Sequence, residues 1–265
     1  MPSDVLYLSA LALVGSSAAL LIGGFSKGSL GLGLPLIAMP ILTWFVPVPQ
    51  AIIILTIPIF VTNIWQAFQG GNFLNVVRRF WLMALALIIG IALGTRILLS
   101  LEPRTLYLLV GMLVLIQPVI RVLKPAFQLP PSKHRQIEGI VGFFSGAIGG
   151  VSGFFGPFLL AYLAMLRLEK NLFAAPVAVM FFVGSSALAL FLAQVGVMKI
   201  EDLVTSCLAL IPASIGIVIG QRVRGHISQH QFDGAITTVM FVLGMSLIAN
   251  ALLFHERLTI EFSPD

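Results

Sequence analysis

The residue that could do chemistry is Lys27. It stands in Gly23-Gly24-Phe25-Ser26-Lys27-Gly28-Ser29-Leu30-Gly31-Leu32-Gly33-Leu34-Pro35, between two long apolar runs. A lysine in apolar surroundings is costly, and glycines at this density are expected to interrupt a helix. An interrupted helix exposes backbone N–H groups at the start of its second half, where the helix dipole is positive. Both effects favour an anion. The second half is expected to begin near Gly31, with Ser26 and Ser29 adding hydroxyl donors and Lys27 a full charge. The chemistry this pattern suits is the holding of a compact oxyanion.

A second copy follows as Ser145-Gly146-Ala147-Ile148-Gly149-Gly150-Val151-Ser152-Gly153-Phe154-Phe155-Gly156-Pro157. Gly24, Gly28, Gly31 and Pro35 recur 122 residues later as Gly146, Gly150, Gly153 and Pro157, which marks an internal repeat. The position matching Lys27 is Gly149, so only the first copy carries the charge. Two such motifs meeting near the bilayer midplane would form a small electropositive site from Ser26, Lys27, Gly28, Ser29, Gly31, Gly150, Ser152, Gly153 and their amides. One segment later, Asn63 and Ser185 occupy matching places and are second candidates for lining a path. The competing account makes the glycines sites of close helix packing and lets Lys27 snorkel to a headgroup. Gly90-x-x-x-Gly94 and Gly216-x-x-x-Gly220, offset by 126, read as helix packing of this kind.

The remaining chemistry is narrow. His134, His226, His230 and His255 all lie in loops or at segment ends, and no Asp or Glu falls in the middle of an apolar run. Intramembrane hydrolysis needs a nucleophile with a base, or a metal with ligands, and the apolar runs offer neither. Lys27 precedes Gly28, so the order required of a phosphate-binding loop is not met and ATP hydrolysis is discarded. No catalytic residue, metal or cofactor is expected. Cys207 is the single cysteine, and a small buried hydrophobe is its expected role.

The elements that must position these residues are membrane helices. Of 265 residues, 58% are apolar and 9% charged, against about 25% charged in soluble domains. The net charge of +5 is therefore a loop-topology signal, and no nucleic-acid partner is expected. No Lys or Arg precedes the first apolar run, so a cleavable signal peptide is not expected. Runs 4–24, 50–69, 80–100, 105–123, 171–195, 202–221 and 231–254 approach the span length of about 20 residues. Runs 30–46, 136–149 and 153–166 are shorter and adjoin the motifs, so each motif breaks a helix or tips a re-entrant hairpin. The polar stretch 124–135 divides a first membrane repeat, 1–123, from a second, 136–265. With Arg121 it carries four basic residues and no acid, so it reads as cytoplasmic, as do Arg78-Arg79 and Arg222-Arg224. These assignments give halves of opposite orientation if 136–166 returns to the side it entered from, and conflict if it crosses once. The positive loop of Arg96, Glu102 and Arg104 opposes the inverted arrangement. Trp44, Trp65 and Trp81 read as interface anchors.

With its duplicated glycines and prolines, Gly24, Gly28, Gly31, Gly33 and Pro35 then Gly146, Gly149, Gly150, Gly153 and Pro157, the chain resembles the TauE/SafE family of sulfite-exporter-like permeases. The resemblance covers nearly the whole chain. It implies about eight membrane segments, a multi-pass location in a bacterial inner membrane, and transport of sulfite or a related organosulfur anion. The expectation is thus an all-α polytopic membrane protein of two repeated halves, a secondary carrier exporting a small anion through the lipid bilayer. A homo-oligomer is left open. The alternative is a non-transporting membrane scaffold or assembly factor, with an intramembrane enzyme a distant third.

Overall fold

The computed structural model describes residues 3–31, 33–69, 73–123, 134–166, 170–224 and 229–253. The readings of His226, His255, the acidic tail and most of the central linker, residues 124–133, lie outside the described residues. The helices are α1 (Ser3–Leu30), α2 (Leu34–Leu42), α3 (Val48–Gln69), α4 (Phe73–Arg79), α5 (Trp81–Ser100), α6 (Pro103–Leu123), α7 (His134–Ser152), α8 (Gly156–Met165), α9 (Lys170–Gln194), α10 (Ile200–Val223) and α11 (Gln229–Leu253). The described residues contain no strand.

Among the described residues, five stretches are long and apolar enough to span a bilayer: Ala10–Ser29, Val48–Phe68, Trp81–Ser100, Ala175–Gln194 and Ile200–Val223. In α6 and α11 the described apolar stretches are shorter, Pro103–Ile116 and Met240–Leu252. Along α10, Leu208, Ile211 and Ile215 are exposed. A helix apolar on its outer face as well as its inner one needs lipid rather than water around it. The chain is a multi-pass membrane protein.

The glycines of the two motifs behave differently from the sequence expectation. Gly23, Gly24 and Gly28 lie inside α1 without breaking it, as Gly146, Gly149 and Gly150 do inside α7. The breaks come at the motif ends. Gly31 has φ 79° and Gly153 φ 71°. Each donates its N–H to the carbonyl four residues back, Lys27 and Gly149, at 2.7 Å. This is the left-handed C-terminal cap that glycine adopts without penalty. The following helices start at Leu34 and Gly156, three residues later than expected, because a left-handed residue ends one right-handed helix and cannot begin the next. Pro35 and Pro157 sit in the new first turns, where the missing N–H costs nothing.

Two compact units are formed, one from Met1–Leu55, Glu102–Pro118 and Val204–Asp265, the other from Thr56–Leu101 and Val119–Leu203. In the first, α1 lies against α10. A Cβ on Gly24 or Gly28 would strike the carbonyls of Ala213 and Ile217, and one on Gly216 or Gly220 would strike those of Leu21 and Phe25. In the second, α7 lies against α5 in the same way. Gly142 and Gly146 face the Met83 and Leu87 carbonyls, while Gly90 and Gly94 face those of Phe143 and Ala147. Small residues four apart let backbones approach this closely, and between apolar helices in lipid that packing is the main attraction available. Each unit therefore pairs the glycine motif of one sequence half with the Gly-x-x-x-Gly of the other.

A polar contact secures the first unit. Pro58 in α3 has no N–H, which leaves the Ile54 carbonyl without its helical donor. Ser206 of α10 donates its hydroxyl there, 2.9 Å from the Ile53 oxygen and 3.1 Å from that of Ile54. In hydrocarbon an unsatisfied carbonyl is costly, so this serine ties α10 to α3.

Candidate functional site

The junction of α1 and α2 holds the charged motif. Lys27 is half-buried in the last turn of α1, where a cation complements the negative end of the dipole. Gly33 caps α2 with φ 112° and takes the N–H of Ile37 at 3.1 Å. The amides of Leu34 and Leu36 belong to the first turn, which has no intrahelical acceptors.

The hydroxyls separate cleanly. Ser29 donates to its own helix, 2.9 Å from the Phe25 oxygen and 3.2 Å from that of Ser26. Ser26 is 1% exposed, and among the described residues its hydroxyl has no hydrogen-bond partner. That oxygen lies 2.6 Å from where a side chain on Gly33 would begin, so it points at the N-cap of α2. A buried hydroxyl left unbonded costs free energy, and such a group calls for a reason. Of the two hydroxyls, that of Ser29 is engaged by its own helix and that of Ser26 is not.

The second motif also holds a buried hydroxyl with no partner among the described residues, that of Ser145. Ser152 donates to the Ile148 carbonyl at 2.8 Å and accepts from the Phe154 N–H at 3.2 Å, which occupies its hydroxyl in both directions. Phe155, fully buried, lies with its ring where a side chain on Gly149 would be. Gly149 matches Lys27 and Phe155 matches Gly33 in the 122-residue register. The first copy thus has a long cation and an empty glycine, whereas the second has an empty glycine and an aromatic ring that fills it. This exchange is visible in the aligned motifs, where Phe155 stands at the position of Gly33. Gly28 and Gly150 pack against helix backbone, Gly28 on Ile217 and Gly150 on Ile91 and Gly94.

Asn63 and Ser185 are buried and bond within their own helices, Asn63 to the Ile59 carbonyl at 2.8 Å and Ser185 to that of Phe182 at 3.1 Å. One turn before them, the matching residues Phe60 and Phe182 meet with ring centroids 5.5 Å apart. Ser26, Lys27, Gly28, Ser29 and Gly31 belong to the first compact unit, and Asn63, Gly150, Ser152, Gly153 and Ser185 to the second.

No curated protein and no solved structure gives a match to the chain. The family model described as "Sulfite exporter TauE/SafE" matches residues 16–247, which takes in both motifs and all but the ends of the sequence. With a match over most of its length, the chain belongs to the sulfite exporter TauE/SafE family, and it is a membrane transporter rather than an enzyme.

Proposed function

We propose that the chain is a secondary carrier that exports a small sulfur oxyanion or organosulfonate across a bacterial inner membrane, with the anion held where α1 gives way to α2. The observation that carries this reading is the Ser26 hydroxyl, buried, without a partner among the described residues and directed at the start of α2. Lys27 one residue on supplies the charge, and the first-turn amides of α2 supply further donors. An anion there would satisfy Ser26. The second motif, with Phe155 over Gly149, serves as scaffold in this reading. The family match supports a sulfur anion as cargo. Outward movement needs no ATP, since a membrane potential negative inside favours anion exit by about 2.3 kcal/mol per charge per 100 mV.

The same reading builds the chain from two repeated halves, 1–123 and 136–265, with about eight membrane segments. The caps at Gly31 and Gly153 and the restarts at Leu34 and Gly156, both 122 residues apart, support it.

Flux of labelled sulfite and of an alkanesulfonate into and out of proteoliposomes tests the proposal. Wild type is expected to carry at least one of them, and Lys27→Ala to lose tenfold or more in apparent affinity, about the worth of one charged hydrogen bond. Folded wild-type protein that moves no sulfur anion would overturn the transport reading. Unchanged flux in Lys27→Ala would remove that residue from the site.

A further inference from the structure

A cavity unrelated to the glycine motifs opens where the end of α4, the start of α5 and the start of α7 come together. Its volume is about 320 Å³, and it is lined by Arg78, Arg79, Trp81, His134, Arg135 and Glu138. All six belong to the second compact unit. Glu138 is 2% exposed and accepts a 2.8 Å bond from Nη1 of Arg79. That pair neutralises one guanidinium and leaves those of Arg78 and Arg135 unbalanced by any other acid in the lining.

The arrangement is unfavourable as it stands. The N-terminal end of a helix is positive, yet the described part of α7 begins with His134 and Arg135 and faces two more arginines. Like charges gathered at a positive helix end repel, and a bound anion reverses the sign of each of these terms. Two of the three arginines, Arg79 and Arg135, are also oriented. The Arg135 guanidinium carbon lies 5.8 Å from the Trp81 ring centre and that of Arg79 4.9 Å from the Phe80 ring. Stacking holds the plane of a guanidinium while its N–H edge stays available for two-pronged bonding to paired oxygens, the geometry suited to phosphate.

We infer that this cavity binds an anionic phosphate group, with Arg78 and Arg135 as its donors and Arg79, fixed by Glu138, as a positive wall. The group can belong to a phospholipid headgroup or to free phosphate. Trp81 also begins an exposed stripe that continues through Leu85 and Ile89 at one-turn spacing along α5, where an acyl chain would lie. Basic pockets at the ends of membrane helices hold anionic headgroups in this manner.

The test uses full-length, delipidated protein in detergent and follows thermal unfolding against added phosphatidylglycerol, phosphatidylcholine and inorganic phosphate. The expected result is a saturable rise in Tm that phosphatidylcholine does not produce. A response to phosphatidylglycerol alone assigns the site to lipid, and a response to inorganic phosphate assigns it to the soluble ion. In Arg78→Gln/Arg135→Gln the apparent affinity is expected to fall tenfold or more. Should that variant fail to fold, Arg78→Lys/Arg135→Lys keeps the charge, loses the paired bonding, and is expected to bind more weakly than wild type. No saturable response to either phosphate source, or equal responses in wild type and the folded variant, overturns the assignment.

Discussion

Two buried serines, one in each glycine motif, separate binding from architecture. Ser26 has a buried hydroxyl without a partner among the described residues, whereas Ser152 both donates and accepts at the end of α7. Removing an unbonded hydroxyl relieves a desolvation cost, while removing a bonded one leaves its partners wanting. Ser26→Ala should therefore unfold no more easily than wild type, yet carry anion with lower apparent affinity. Ser152→Ala should lose about 1 kcal/mol of stability and keep its affinity. Thermal unfolding in detergent and flux in proteoliposomes, measured on both variants, separate the two roles. Equal affinity loss in both would show that neither hydroxyl acts as assigned. A third residue-scale prediction concerns Glu138. Arg79→Gln leaves the buried Glu138 carboxylate without its cation, though still bonded to Tyr162, and because Arg79 is itself half exposed the expected cost is about 2 kcal/mol, below that of a fully buried pair. Glu138→Gln in the same background should recover most of it, as read by unfolding of the double variant.

At the scale of elements, the helices are held by backbone contact and by repair of proline defects. Gly24 and Gly28 admit the carbonyls of α10, and Gly90 and Gly94 those of α7. A side chain at any of these must push two backbones apart, so Gly24→Leu and Gly94→Leu should each cost about 2 kcal/mol or more. Gly234→Ala, on α11 with open space around it, should cost nothing measurable. Ser206 supports α3 only because Pro58 leaves a carbonyl bare. Ser206→Ala should cost about 1–2 kcal/mol in wild type and clearly less in Pro58→Ala, which restores the helical N–H. A double-mutant cycle that shows no coupling would sever that link. The sequence made the glycines conspicuous but suggested interruption, because helix propensity is a local quantity. Their actual use, inside unbroken α1 and α7, depends on a partner helix far away in the chain.

At the scale of the molecule, each compact unit draws helices from both sequence halves. The face of α1 that carries Gly24 and Gly28 finds its partner, α10, only in the second half. Residues 1–128 and 129–265 produced separately should each be degraded or aggregate, and produced together they should copurify and regain a cooperative unfolding transition. Stable, monodisperse behaviour of either half alone would contradict this dependence. The cavity lined by Arg78 and Arg135 also constrains topology, since residues lining one cavity must be reached from one side of the bilayer. In a background with Cys207 replaced by Ser, an impermeant maleimide should label Arg78→Cys and Arg135→Cys from the same side and neither from the other.

The sequence by itself determined the membrane-embedded helical class and the family, and it suggested a duplication at 122 residues, because composition, apolar run length and glycine spacing are written along the chain. It also singled out Lys27, since a lysine beside so much apolar sequence is legible without coordinates. Tertiary structure decided what the motifs do. Only packing across the halves shows that glycines within α1 and α7 serve contact rather than interruption, and that just Gly31 and Gly153 end a helix. Only the folded chain lays Phe155 over Gly149 and leaves Ser26, beside Lys27, without a partner among the described residues. A hydrogen bond made or missed is a relation between distant groups, and spacing along the chain does not encode it.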